Sequence, residues 1–220
     1  MSSLISWILY QNTLLFYFIN NGLNNPFFDF LMPAITNFGS FIAMAIICIL
    51  MYIFGGENTR KVALIGLVAL LLANVAVYLL KIIVAEPRPF LVLPNVIQLI
   101  SESENYGFPS GHAASSFAVM MVIGLKYRLN VKGKSYKLLY PLLAFATLIA
   151  FSRVYIGVHY PLDVVFGAII GILSAVLVIY IGWDETIVNR ISKISIKDNI
   201  IDRIRGKQFS NNKQSLKKKK

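Results

Sequence analysis

Apolar residues fall in five long runs, at 38–54, 62–80, 113–125, 138–151 and 160–183, with most charged positions between or after them. A helix needs roughly 17–25 residues to cross a bilayer. The first, second and fifth runs reach that length unaided. The third and fourth reach it by taking in neighbours, 109–112 before the third and 152–158 after the fourth. The pattern predicts an all-α, polytopic membrane helix bundle of five or six transmembrane helices. The doubtful sixth is the stretch 4–19, apolar and aromatic but broken by Gln11, Asn12 and Thr13. It fits a span and a helix lying in the interface equally well. No Lys or Arg precedes it and no small-residue cleavage pattern accompanies it, so it does not read as a secretory signal.

Composition agrees with the membrane class. Hydrophobic residues make up 57% of the 220 positions and charged residues only 14%, where a soluble domain carries roughly 25% charged. The single cysteine, Cys48, lies inside an apolar run, which excludes an intrachain disulfide and a cysteine metal cluster. The net charge of +11 is uneven, with eleven Lys or Arg after Asp184. No aromatic interleaving or binding motif accompanies that tail, so nucleic acid is not its expected partner. It reads as a cytoplasmic tail near anionic lipid headgroups. Ile187, Ile191, Ile194, Ile201 and Ile204 recur between basic residues at roughly helical spacing, as in a helix lying on the inner leaflet. After Phe209 the composition is that of a disordered segment.

Positive charge in short loops marks the cytoplasmic side. Between the third and fourth runs stand Lys126, Arg128, Lys132, Lys134 and Lys137, without an acid. The turn at 55–61 and the basic tail fall on the same side if every run crosses once. The long connection 84–109, with Glu86, Glu102 and Glu104 against Arg88, then lies outside. Under this alternation Lys81 ends the second span, His112 opens the third, Arg153 ends the fourth, and His159 and Asp163 open the fifth. Charges that otherwise avoid the spans thus meet at one level of the bilayer, which predicts a single outward-facing pocket.

Each cluster also has a plain reading. Lys81 at a helix end can snorkel to headgroups. Arg88 can be a surface residue, although Pro87 and Pro89 fix the backbone on both sides. Arg153, between an apolar run and a mostly apolar connection, is harder to dismiss; its guanidinium can grip phosphate through two parallel bonds. In Pro109-Ser110-Gly111-His112, Ser110 is a good helix N-cap, Gly111 permits close approach to the backbone, and the first amides of a helix attract anions. His112 can protonate a leaving oxygen. His159 and Asp163 are four apart, so the carboxylate can hold one ring nitrogen and leave the other free to attack phosphorus. A metal site is the rival use of that pair, disfavoured by two histidines in all and by the neighbouring cations.

Taken together, Lys81-x6-Arg88-Pro89, Pro109-Ser110-Gly111-His112 and Ser152-Arg153-x5-His159-x3-Asp163 resemble the three-part signature of the type 2 phosphatidic acid phosphatase superfamily, with every signature position filled. The resemblance runs from about residue 28 to 183. It suggests a division into an N-terminal helix at 1–25, a phosphatase domain at 26–183 and a tail at 184–220. It implies that His159 is a nucleophile forming a phosphohistidine, that Asp163 orients it, and that His112 serves the leaving group and then the attacking water. Lys81, Arg88, Ser110, Gly111 and Arg153 would bind the phosphate. No metal or other cofactor is implied. Soluble vanadium haloperoxidases share the signature without the membrane spans. The expected activity is hydrolysis of a lipid phosphate or diphosphate, first of all a polyprenyl diphosphate. Phosphatidylglycerophosphate and phosphatidate are alternatives, and a phosphotransferase or a non-catalytic lipid-binding protein are readings from other classes.

Overall fold

The computed structural model of the chain describes residues 2–131 and 134–181. Helix α1 (Ser2–Tyr17) runs into a π-helical turn, Phe18–Gly22, and is followed by α2 (Pro26–Asn37), α3 (Phe41–Phe54), α4 (Glu57–Val84) and a short α5 (Pro89–Val92). After a long connection come α6 (Gly111–Lys126), a two-stranded hairpin of β1 (Arg128–Val131) and β2 (Lys134–Lys137), α7 (Leu139–Tyr155) and α8 (Pro161–Tyr180). The all-α expectation holds apart from that antiparallel hairpin, in which Arg128 pairs with Lys137.

Helix α6 is the axis of the bundle, contacted by α3, α4, α7 and α8. It can be surrounded because its side chains are small: Ala113, Ala114, Ser115, Ser116 and Ala118 are all buried. Helix α8 presses closest. A Cβ added at Gly167 would lie 2.5 Å from the Ser110 carbonyl oxygen, and one at Gly171 would lie 2.4 Å from that of Ala114. Gly167 and Gly171, four apart on one face, therefore let the two backbones meet, as small residues do between helices in lipid. Gly39, in the elbow between α2 and α3, plays a similar part, since a Cβ there would lie 2.3 Å from Ile149 and 3.3 Å from the His112 carbonyl oxygen.

The outward faces are apolar. Leu71, Val75, Leu79 and Ile83 on α4, and Phe166, Ile169, Leu173 and Leu177 on α8, are all exposed. So much contiguous apolar surface belongs in lipid. By length and composition, α4 and α8 are able to cross a membrane, and α2 with α3 counts as a third candidate if the pair, bent by 57°, forms one span. Helices α6 and α7, at 16 and 17 residues, are shorter. Helix α7 takes in 152–155 of its expected neighbours and stops short of 156–158, and α6 takes in only Gly111 and His112. The apolar run at 38–54 contains the elbow and α3, and α2 is an element the hydrophobic pattern did not resolve. The stretch 4–19 is helical through Tyr17. The expected inner-leaflet helix, the anionic-lipid contacts of the tail and Lys132 lie outside the described residues.

The basic hairpin and the clustered cations occupy opposite ends of the bundle. Tyr127 donates to Thr59 Oγ1 at 2.8 Å, fixing the hairpin beside the start of α4, while Lys81 lies in that helix's last turn. At the Lys81 end, the connection between α4 and α6 is tied down twice. Arg88 N donates to the Asn105 carbonyl at 3.2 Å, and Gly107 N to that of Glu86 at 2.8 Å. Buried Asn20 secures the next stretch: its amide donates to the Ile97 carbonyl at 2.8 Å and the Tyr155 carbonyl at 2.7 Å, and its oxygen accepts from Ile97 N at 2.9 Å. Gly157 completes that junction with φ of +84°, where an added Cβ would meet the Ile97 oxygen at 2.5 Å.

Candidate active site

A cavity of about 390 Å³ opens at this end of the bundle. Lys81, Arg88, Gly111, His112, Arg153 and His159 all line it. The clusters that are distant in sequence therefore do share one chamber. Each is delivered by a helix end: Lys81 by the last turn of α4, Gly111 and His112 by the first turn of α6, and Arg153 by the last turn of α7.

His159 is buried, and the two nitrogens of its ring have different partners. Nδ1 lies 3.2 Å from Asp163 Oδ2, and Nε2 lies 3.2 Å from Arg88 Nη1. An arginine has donors only, so Nε2 must accept. The ring is then neutral, with its proton on Nδ1 and directed at Asp163, and its Nε2 lone pair, at the cavity, is taken up by Arg88. Burial pushes the His159 pKa well below the usual imidazole value, and the charges of Arg153, Arg88 and Lys81 push in the same direction. Asp163 is itself fixed by local structure. Pro161 starts α8, and Oδ2 accepts from the Tyr160 amide at 2.8 Å, closing a capping box over the first turn. Gly107 leaves room for this carboxylate, since a Cβ there would stand 3.2 Å from Oδ2.

The two arginines are almost fully enclosed, each 1% exposed. Arg88 spends Nη1 on the Val158 carbonyl at 3.0 Å as well as on His159, and Nε on the Glu104 carbonyl at 2.7 Å. Arg153 Nη1 donates to Thr36 Oγ1 at 3.3 Å, while its Nε is buried without a partner. Burial lowers the pKa of Arg88, opposed by Glu102 and Glu104; a guanidinium stays charged through such a shift.

Ser110 is placed otherwise than a direct ligand. Its side chain is fully buried and accepts from the Ala113 amide at 3.4 Å, so it caps α6 and does not line the cavity. Its hydroxyl and carbonyl take up the Ala113 and Ala114 amides, so the first turn of α6 begins beside the cavity-lining Gly111 and His112. Asp163 likewise stands behind His159. Among the described residues, no group of three or more His, Cys, Asp and Glu could hold a metal ion.

Several residues at the site were not legible as such in the sequence. Glu102 and Glu104 line the cavity with Asn74 and Ser115, and Asn74 Nδ2 donates to Ser115 Oγ at 3.0 Å. Asn74 did carry a signal, a polar residue in the middle of an apolar run. The two acids registered only as loop charge.

The PAP2 superfamily model matches residues 62–187, more than half of the chain. The chain belongs to the PAP2 superfamily. Among PAP2 relatives, it is 30% identical over 154 residues to the undecaprenyl-diphosphatase BcrC of Bacillus subtilis, covering 70% of this chain and 75% of that one. It is 38% identical over 99 residues to phosphatidylglycerophosphatase B of the same organism, covering 44% of this chain and 47% of the relative. The crystal structure of Aquifex aeolicus LpxE superposes with a TM-score of 0.64 at 30% identity, over 77% of this chain and 95% of that one.

Proposed function

We propose that this chain is a multi-pass membrane phosphatase that cleaves a terminal phosphate from a lipid diphosphate through a phosphohistidine on His159. The observation that carries the proposal is the neutral ring of His159, with Nδ1 held by Asp163 and the Nε2 lone pair at a cavity shared by three cations. In the first step Nε2 attacks phosphorus and the P–O bond to the lipid side breaks. His112 gives its proton to that leaving oxygen. Arg88, Arg153, Lys81 and the amides at the start of α6 hold the oxygens of the transferring group. Asp163 stabilises the positive charge that develops on the ring. In the second step His112 takes a proton from water, whose oxygen attacks phosphorus and releases phosphate and the free imidazole. The Arg88 contact to Nε2 must loosen as substrate enters, and phosphate oxygens are the natural replacement for the imidazole as its acceptor.

In this proposal the membrane domain crosses five or six times, the cavity faces outward and the C-terminus is cytoplasmic. The basic hairpin at the opposite end supports that orientation. The preferred substrate is a polyprenyl diphosphate of the undecaprenyl type, supported by a relative that matches over most of both chains. Phosphatidylglycerophosphate is the second reading, favoured by the 38% identity to phosphatidylglycerophosphatase B. Phosphate release by the purified protein decides between them when measured on undecaprenyl diphosphate, phosphatidylglycerophosphate, phosphatidate and inorganic diphosphate. The proposal expects the polyprenyl diphosphate to show the highest kcat/KM. A preference for phosphatidylglycerophosphate reverses the substrate assignment, and no release from any lipid rejects the enzymatic one.

A further inference from the structure

The cavity's cations are already engaged by two carboxylates of the chain itself. Glu102 Oε2 lies 2.5 Å from Arg153 Nη2 and 3.7 Å from Arg88 Nη1. Glu104 Oε2 is 3.4 Å from Arg88 Nη2 and also bonds the Lys81 ammonium. Resting on the phosphatase reading above, we infer that residues 100–104 form an internal anionic strap whose two carboxylates stand in two phosphate subsites. A lipid diphosphate enters by displacing both, and a monophosphate by displacing one.

The two subsites are told apart by Arg88, which serves both. Its Nη1 faces Glu102 and also touches His159 Nε2 at 3.2 Å, so the Glu102 subsite adjoins the attacking nitrogen. The phosphate to be transferred belongs there, between Arg88 and Arg153. Its Nη2 faces Glu104 and Lys81, so the second phosphate, on the leaving side, belongs with those two. Three cations thus span a pair of linked anions, and a lone phosphate leaves the Lys81 subsite to Glu104.

The strap is held least firmly at Glu104. Its ends are anchored, at Leu99 by donation to the Ile156 carbonyl at 3.2 Å and at Asn105 by acceptance from Arg88 N at 3.2 Å. Between these anchors it forms neither helix nor strand. The Glu104 side chain is 60% exposed despite its pairing, and an ion pair so open to solvent holds weakly. Burial opposes ionisation of Glu104, but the bond to Lys81 and the fields of Lys81, Arg88 and Arg153 hold its carboxyl below the usual range. It is therefore an anion at neutral pH and competes with phosphate for the same donors.

The test uses the full chain purified in detergent, with Glu102→Gln, Glu104→Gln and the double variant. Calorimetric titration with inorganic diphosphate and inorganic phosphate is run beside phosphate release from a polyprenyl diphosphate. The double variant is expected to bind inorganic diphosphate on the order of tenfold more tightly, with a matching fall in KM for the lipid. Glu104→Gln alone should tighten diphosphate about threefold and leave monophosphate unchanged. If Glu102→Gln does not fold, because Arg153 has lost its carboxylate, the Glu104→Gln contrast carries the test. Unchanged or weaker diphosphate binding in the folded variants overturns the strap. So does tighter inorganic diphosphate without a lower KM for the lipid. Tighter binding by the variants with no lipid hydrolysis by the parent chain would instead reject the phosphatase reading and leave the strap as an anion gate.

Discussion

Arg88 and Arg153 at one end of the bundle carry the same charge as Arg128, Lys134 and Lys137 at the other, under opposite conditions. The hairpin cations stand in solvent; Arg128 Nε bonds only the Ser135 hydroxyl, at 2.9 Å, among its described contacts, and every residue of β2 is exposed. Such charges cost little to place and report mainly on membrane orientation. Arg88 and Arg153 are enclosed, each facing a carboxylate and, for Arg88, an imidazole. Removing a guanidinium from water costs several kcal/mol unless its donors are satisfied. Stability alone would favour apolar residues at those positions, and the proposed function accounts for the two arginines through the anion they would receive.

Substitutions can break this contrast or sharpen it. The largest effect is expected from Arg153→Lys. The charge survives, but one ammonium replaces a planar fork that reaches Thr36 and the cavity together. We expect kcat/KM to fall by roughly a hundredfold or more, measured by phosphate release; retention of near-normal turnover would mean that charge alone suffices. Asp163→Asn comes next. It keeps the size of the side chain but removes the carboxylate that receives the Nδ1 proton, and kcat should drop by about a hundredfold with a smaller change in KM. A change confined to KM would assign Asp163 to binding. The smallest effect is expected from Lys134→Ala with Lys137→Ala, under about twofold in kcat/KM and with little change in melting temperature. A large loss there would dissolve the distinction between the two ends.

What the sequence disclosed about this arrangement follows the same physics. A bilayer demands long apolar runs, so α3, α4, α6, α7 and α8 were visible, and charges at their ends were conspicuous because the runs exclude charge. Alternating the runs across the membrane predicts Lys81, His112, Arg153 and His159 at one level, and all four line one cavity. The elbow at Gly39 was hidden, because a break within an apolar segment leaves the hydrophobic pattern intact. Gly167 and Gly171 were present as a spaced pair, but only the approach of α6 shows what they admit. Glu102 and Glu104 were least legible of all. Their pairing depends on the path of a loop without periodicity, pinned by Asn20 from far upstream.

The central claim is that His159 Nε2 forms a bond to phosphorus. Its most direct test is mass spectrometry of the enzyme quenched in alkali during turnover of a polyprenyl diphosphate, conditions under which phosphohistidine survives. The account predicts a phosphoryl group on His159 that disappears in His159→Ala. Phosphate found on His112, or no phosphoenzyme while hydrolysis proceeds at full rate, would contradict it.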